Sequence, residues 1–411
     1  MADVFIHPGR LHGTIEPPPA KSDAHRALIA AGLAGAGQGV TGLPEVMPDD
    51  LLATQRCLRA LLDGQPLLDC GESGTTLRLL IPIAAALEPG RRAEKLCFVG
   101  RGRLPQRPLA EYRAILGGAG AELQFPAAGS LPLYLQGRLQ PGTFRVPGHI
   151  SSQYISGLLM ALPLLSGPSR IVLTTPLESA PYVAMTLRTL ASFGIAVDVL
   201  PDGYHIPGGQ HYHPAAYCIE KDYSQAAFWL TAAYAGSTLE LVGLPADTAQ
   251  GDRAIVGLLD DFRRQRDEYR IDAAQIPDLV PILAAAAALT SAVTRILHAG
   301  RLRLKESDRL AATRQALADL GADIEEDDDG LVIRGGAFSR RDCREGRLPG
   351  GTADSYADHR IAMTLAIAAL STEHGVLLRH AEAVRKSYPT FFQDFQRLGG
   401  VVDELDLGTQ S

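Results

Sequence analysis

The chain lacks most of what would mark a nucleic-acid binder, a disulfide-stapled domain or a membrane protein. Only 6% of its 411 residues are aromatic, and its 39 Lys and Arg are outnumbered by 46 Asp and Glu, for a net charge of −7. There is no global basic field and no interleaving of aromatic with basic residues, so nucleic acid and anionic membranes are excluded as partners and any anion site must be local. Five cysteines, Cys57, Cys70, Cys97, Cys218 and Cys343, are odd in number, widely spaced and without a CxxC pair. That argues against a disulfide framework or zinc site and fits a reducing cytoplasm. Residues 1–15 show no basic segment followed by an apolar one, so no signal peptide is expected. The most hydrophobic stretch, 279–293, is Ala-rich, contains Pro281 and is shorter than a membrane span, so it reads as a buried helix.

A chain of this length suits two domains, and 46% apolar against 21% charged residues allows each a sizeable core. Helical segments ending in an apolar residue and a glycine occur at Gly117, Gly194, Gly321 and Gly399, each a C-terminal stop signal. Gly117 to Gly194 and Gly321 to Gly399 are 77 and 78 residues apart. With weaker helices ending near Gly64 and Phe262, this predicts six similar β-and-α units in two similar halves, an α/β (α+β) fold. Strand candidates at 134–135, 170–174, 239–242, 294–297 and 331–334 separate the helices, and 325–329 reads as a short acidic turn.

The chemistry concentrates at predicted helix starts. Lys305, Glu306, Ser307, Asp308 and Arg309 lead into an amphipathic helix through Leu310, Leu317 and Leu320, with Ser307 read as the N-cap. Two cations and a helix N-terminus favour phosphate or carboxylate; a solvated salt-bridge cluster is the bland alternative. The arrangement recurs. Lys21, Ser22 and Arg26 precede the apolar run 27–33, with Ser22 read as a cap and Arg26 one turn on. Gly71, Glu72, Ser73, Gly74, Thr75, Thr76, Leu77 and Arg78 form a Gly-rich turn that lets backbone N–H groups approach an anion; it is no Walker A loop, since no Gly-Lys-Ser/Thr follows. Asp358, His359 and Arg360 precede one further apolar helix, and Ser151, Ser152 and Gln153 another.

These motifs, with Gln106-Arg107-Pro108-Leu109, Ser179-Ala180-Pro181-Tyr182, Ile276-Pro277-Asp278 and Lys386-Ser387-Tyr388-Pro389, resemble the EPSP synthase branch of the enolpyruvyl transferase family in order and approximate spacing, from about residue 10 to 395. The resemblance implies an inside-out α/β barrel of two domains, each built from three βαβαββ units. Residues 1–19 plus 220–411 would form discontinuous domain I and 20–219 domain II, with the active site in the interdomain cleft. It implies transfer of the enolpyruvyl group of phosphoenolpyruvate to the 5-hydroxyl of shikimate 3-phosphate, a cytoplasmic monomer, and no cofactor.

By the same resemblance, shikimate 3-phosphate would meet Lys21, Ser22, Arg26, Ser151, Ser152, Gln153, Ser179, Asp278 and Lys305. Phosphoenolpyruvate would meet Lys21, Gly74, Arg107, Gln153, Arg309, Arg360 and Lys386. Asp278 would accept the hydroxyl proton and Glu306 donate one to the enol methylene, with Lys21 close to both substrates. The charge arithmetic agrees. The two substrates together carry about −5 to −6, and the seven motif cations exceed Asp278 and Glu306 by five, so no metal is required. A carboxyl that donates at neutral pH needs a raised pKa, whereas Lys305 and Arg309 flank Glu306 and should lower it; burial, or a share of the proton transfer taken by Lys21 or Lys386, would be needed to offset them, and the sequence leaves both open. His25 reads as a packing residue, and Arg78 as paired with a nearby carboxylate.

Four positions depart from the commoner pattern: Ala20 and Ala180 for Ser and a basic residue, Glu72 for Asn in the Gly-rich loop, and Arg301 for Asn. A sister family that uses UDP-N-acetylglucosamine carries a reactive Cys five residues before its Arg-Pro, where this chain has Gly102. A catalytically silent phosphosugar-binding paralogue and an RNA-end-processing protein of related topology are the other rivals. Retention of Asp278, Glu306 and all seven cations counts against the first, and the net charge against the second.

Overall fold

Four sheets repeat one pattern in the computed structural model, which describes residues 3–35, 39–88, 90–264, 266–336 and 348–405. Cys343 lies outside the described residues. In one sheet Leu67–Asp69 runs parallel to Leu96–Val99, which pairs antiparallel with Leu133–Gly137, itself antiparallel to Ala121–Gln124. Helices Gly74–Ala86 and Ala110–Leu116 make the connections, so the chain order is βαβαββ. Parallel neighbours need such a crossover, whereas the final antiparallel pair needs only a turn. The same order recurs around Thr143–Val146 and Ser169–Leu173, and around Glu268–Asp272 and Val293–Leu297. In the fourth sheet Gly351–Asp354 and Val376–Arg379 take their central antiparallel neighbour, Asp3–Ile6, from the start of the chain. Two further parallel pairs join His12–Ile15 to Thr238–Leu241 and Val40–Thr41 to Tyr217–Cys218.

The chain divides into two compact units. One comprises residues through Pro18, Lys221–Ala246 and everything from Gly251; the other comprises Pro19–Glu220 with Asp247–Gln250. Each buries its own core. In the first, Trp229 stacks on Phe391 at 5.1 Å among the aliphatic residues of helices Val280–Ala288 and His359–Ala369. In the second, Tyr112 and Tyr154 meet edge-to-face at 4.7 Å against Leu158, Leu159 and Phe144.

The stop signals at Gly194, Gly321 and Gly399 are left-handed, with φ of 77°, 93° and 93°. At the fourth the turn falls one residue later, with Gly118 at φ 78° while Gly117 stays at −61°. The stretch 279–293 holds the nine-residue helix Val280–Ala288, buried on every side, and then enters the strand Val293–Leu297. The expected acidic turn at 325–329 is mostly strand, Asp323–Asp327. Asp323 and Glu325 face outward, where Arg334 pairs with both, while Ile324 goes inward and Glu326 on the same face pairs with Arg303. Among the described residues the four cysteines are free thiols, and no helix there is long and apolar enough to cross a membrane.

Candidate active site

The motif residues gather into two clusters, one in each unit. In the unit containing residues 19–220, helix Lys21–Leu33 begins at Lys21 itself, with Ala20 as N-cap and no capping side chain. Ser22 is therefore not the cap the sequence suggested. The methyl group of Ala20 cannot accept a hydrogen bond, and the carboxylate in the first turn, Asp23, accepts from Tyr217 Oη (2.5 Å) and Glu220 N (3.3 Å). A helix start without a side-chain cap keeps its electropositive end for an anion. Lys21 Nζ lies 2.6 Å from Asp50 Oδ2.

Arg26 is buried, donating through Nε to Thr186 Oγ1 (2.7 Å) and through its terminal nitrogens to the carbonyls of Ser22 (2.5 Å) and Tyr182 (3.1 Å). Burial pulls the guanidinium down to about 10, so it still carries its charge at neutral pH, among partners that are neutral oxygens. Ser151 caps Ser152–Ala161, accepting from Gln153 N at 3.3 Å. Ser179 heads helix Ala180–Ser192 in the left-handed region, φ 54° and ψ 37°, an uncommon conformation for a non-glycine residue.

The Gly-rich turn becomes helix at Gly74, with Ser73 as the N-cap accepting from Thr76 N at 3.2 Å. A Cβ on Gly74 would stand 2.4 Å from an Arg107 terminal nitrogen, so glycine there is the space Arg107 occupies. Gln153 is held at both ends, donating to Thr75 Oγ1 and accepting from Arg78, each at 2.9 Å. Arg78 thus binds an amide and the Pro108 carbonyl (3.1 Å) rather than a carboxylate. His25 is buried, with Nδ1 2.7 Å from Thr54 Oγ1; burial first, then Lys21 and Arg26, holds its pKa well below the ordinary range.

In the other unit the carboxylates and cations interlock. Asp278 sits on a short 3-10 turn, Pro277–Leu279, at the head of the buried Ala-rich helix. Its Oδ1 lies 3.0 Å from Arg309 and 3.8 Å from Lys305 Nζ, and its Oδ2 3.1 Å from Arg360. Arg309, essentially sealed from solvent, also pairs with Glu306 and donates through Nε to Asp358 Oδ2 at 2.8 Å. Burial works against its charge, but Asp358, Glu306 and Asp278 together outweigh it and raise its pKa.

Ser307 is not the cap of helix Arg309–Asp319. Asp308 is, accepting from Ala311 N at 3.2 Å, because Ser307 turns inward to donate to Asp358 Oδ2 at 3.1 Å. Asp358 caps helix His359–Ala369 and follows two left-handed residues, Tyr356 and Ala357, at φ 53° and 52°. Lys386 Nζ donates to the Ala357 carbonyl at 2.8 Å. Lys305 keeps 27% side-chain exposure, yet desolvation of its ammonium lowers its pKa to about 8 against the opposing pull of Asp278.

The EPSP synthase (3-phosphoshikimate 1-carboxyvinyltransferase) family model matches residues 62–395. The chain belongs to the EPSP synthase family. Enzymes named 3-phosphoshikimate 1-carboxyvinyltransferase from Clostridium novyi and Clostridium acetobutylicum are 38% and 40% identical to it, each over 99% of this chain and 100% of the relative. An EPSP synthase structure from Acinetobacter baumannii shares the fold at a TM-score of 0.77, with 24% identity over 98% of this chain and 100% of that one. So does the enolpyruvyl transferase NikO from Streptomyces tendae, at a TM-score of 0.71 and 18% identity, covering 98% and 99%.

Within this EPSP synthase family member, several side chains in contact with the candidate site residues escape a reading from sequence. Ser224 Oγ accepts from Arg360 at 2.8 Å and donates to Asp252 Oδ2 at 2.5 Å, behind Asp278. Burial, then the nearby Asp278 charge, pushes Asp252 up to about 7. The only signal was the Asp222-Tyr223-Ser224 start of helix Tyr223–Tyr234, which reads as an ordinary cap. Asp50, beside Lys21, likewise looked like a favourable first-turn acid on Asp49–Leu62. Asp50 and Asp358 reduce the surplus of positive charge counted from the motifs. Of the departures from the family pattern, Arg301 donates to the Ala274 carbonyl. The Glu72 carboxylate lies over Gly102, where a Cβ would stand 2.5 Å from Oε2.

Proposed function

We infer that this chain transfers the enolpyruvyl group of phosphoenolpyruvate to the 5-hydroxyl of shikimate 3-phosphate, giving 5-enolpyruvylshikimate 3-phosphate and phosphate, a step of aromatic amino acid biosynthesis. The observation that carries the reading is Asp278, a carboxylate gripped by Arg309, Arg360 and Lys305 in one unit of a chain whose full-length relatives bear that enzyme's name.

The acceptor hydroxyl loses its proton as its oxygen bonds to C2 of phosphoenolpyruvate and the enol methylene gains a proton; the C2–O bond to phosphate then breaks, inorganic phosphate leaves, and the new methyl gives a proton back to restore the methylene. Asp278 is assigned the first proton transfer. Three cations orient it, and a general base must be held toward the proton it takes. Glu306, anchored on Arg309, is assigned the second, with Lys21 at the other cluster. Lys305, Lys21, Ser22, Arg26, Ser151, Ser152 and Ser179 are assigned to shikimate 3-phosphate, Gly74, Arg107, Arg309, Arg360 and Lys386 to phosphoenolpyruvate, and Gln153 to both. Arg309 and Arg360 already hold carboxylates, so a second anion adds to a network with its geometry preset, and little reorganisation is left for the bound state. The same reading makes the chain a cytoplasmic monomer that uses no metal or organic cofactor.

Phosphate release from phosphoenolpyruvate tests the reading, with shikimate 3-phosphate or UDP-N-acetylglucosamine as the second substrate. Release with shikimate 3-phosphate alone supports it. Release only with the nucleotide sugar overturns the acceptor, and silence with both overturns the enzyme reading.

A further inference from the structure

We propose that Glu72 is a positioning residue for Arg107, and through it for the phosphoenolpyruvate end of the reaction. The inference deepens the reading above and rests on its assignment of Arg107. The Gly-rich segment 71–74 and the segment 100–107 continue the parallel pairing of the strands before them, with Cys70 N donating to Val99 O (2.9 Å) and Arg101 N to Gly71 O (2.8 Å). Beyond that point ordinary pairing stops and the segments interlock by side chain. Each contributes one glycine and one charged residue, and each charged residue lies in the space left by the other segment's glycine.

The two close approaches are nearly equal. A Cβ on Gly74 would be 2.4 Å from Arg107, and a Cβ on Gly102 2.5 Å from Glu72 Oε2 and 2.6 Å from its carboxyl carbon. Gly102 is also left-handed, at φ 60°, so the turn beneath the carboxylate takes a shape that glycine adopts without strain. The Arg101 guanidinium lies beside Gly71, 3.8 Å from where a Cβ there would be. At the far end the segment is pinned by Ser130, whose N donates to Pro105 O and whose Oγ donates to Arg107 O, both at 2.7 Å. Arg107 therefore has its backbone fixed by Ser130, its guanidinium fitted against Gly74, and the near side of its loop held by Glu72.

A carboxylate here has two separable effects on an anionic substrate. Its charge repels phosphoenolpyruvate, so an electrostatic role alone makes removal tighten binding. Its seating of the loop aims Arg107, so a positioning role makes removal weaken binding, and a displacement of about 1 Å costs up to about 10²-fold. The sign of the change decides between them.

The experiment is steady-state kinetics of E72A, E72Q, G102A and E72A/G102A, varying each substrate at saturation of the other, with R107A as reference. Expected are a rise of about tenfold or more in KM for phosphoenolpyruvate in E72A, an unchanged KM for shikimate 3-phosphate, an unchanged melting temperature, and near-normal behaviour of E72Q, whose amide keeps the shape. G102A should resemble E72A, and the double variant should be no worse than G102A, since both act on one seat. A lowered or unchanged KM for phosphoenolpyruvate in E72A overturns the proposal, as does full additivity in the double variant. If R107A itself leaves that KM intact, the assignment of Arg107 fails; if R107A raises it and E72A does not, the positioning role alone fails.

Discussion

The Nε of Arg309 donates to Oδ2 of Asp358 over 2.8 Å, with the two side chains 1% and 0% exposed, and so joins the starts of two helices that carry candidate site residues. A buried guanidinium stripped of one partner has no water to turn to. Asp358→Ala should therefore cost about 3 to 5 kcal/mol of unfolding free energy, because it also removes the cap on Arg360 N (2.9 Å) and the acceptor of Ser307. Asp358→Asn keeps the cap and should cost less. Urea unfolding measures both, and a loss under about 1 kcal/mol for the alanine variant would show that the pair behaves like an exposed one.

Asp278→Asn separates chemistry from architecture. The single amide oxygen can still accept from Arg309, and Arg360 keeps its bond to the backbone carbonyl of residue 278 (3.1 Å), so folding and binding of shikimate 3-phosphate should persist while turnover falls by about 10² to 10⁴, the scale of a lost general base. Stopped-flow turnover beside calorimetric binding checks it. Near-normal turnover would remove Asp278 from the role of base.

What was legible from the sequence follows from how locally each feature is determined. The glycine stops at Gly194, Gly321 and Gly399 need only a left-handed backbone, and their spacing exposed the repeat in both halves. Caps were less legible: Ser22 and Ser307 look like caps in isolation, yet long-range partners decide, Asp358 drawing Ser307 inward and leaving Asp308 to cap. Partners distant in sequence were not legible at all. Asp50 lies 29 residues from Lys21, and Ser224 136 from Arg360, and no local pattern announces either pairing.

Lys305 sets a pH limit. Its ordinary pKa of 10.5 is lowered to about 8, chiefly by burial, so the ammonium is present below pH 8 and lost above it. If that charge grips the phosphate of shikimate 3-phosphate, kcat/KM for this substrate should fall as pH rises through about 8, while kcat/KM for phosphoenolpyruvate changes less. Lys305→Arg, which stays charged throughout this range, should remove the alkaline fall. A pH profile of the arginine variant that keeps the limb would assign it to another group.

Gly74→Ala is the smallest change with a defined steric consequence. The added methyl would meet Arg107 at 2.4 Å from one nitrogen and 2.7 Å from the guanidinium carbon, closer than real contacts allow. Gly74 lies in the first turn of a helix, where alanine is the better residue, so the variant should fold and melt no lower than the parent. The methyl can be housed only if the end of a flexible arginine moves aside, leaving the helix in place. KM for phosphoenolpyruvate should then rise by about 10-fold or more, with KM for shikimate 3-phosphate unchanged. A parallel rise in both constants would mean that the whole turn, rather than Arg107, had moved, and an unchanged phosphoenolpyruvate constant would place Arg107 outside that substrate's reach.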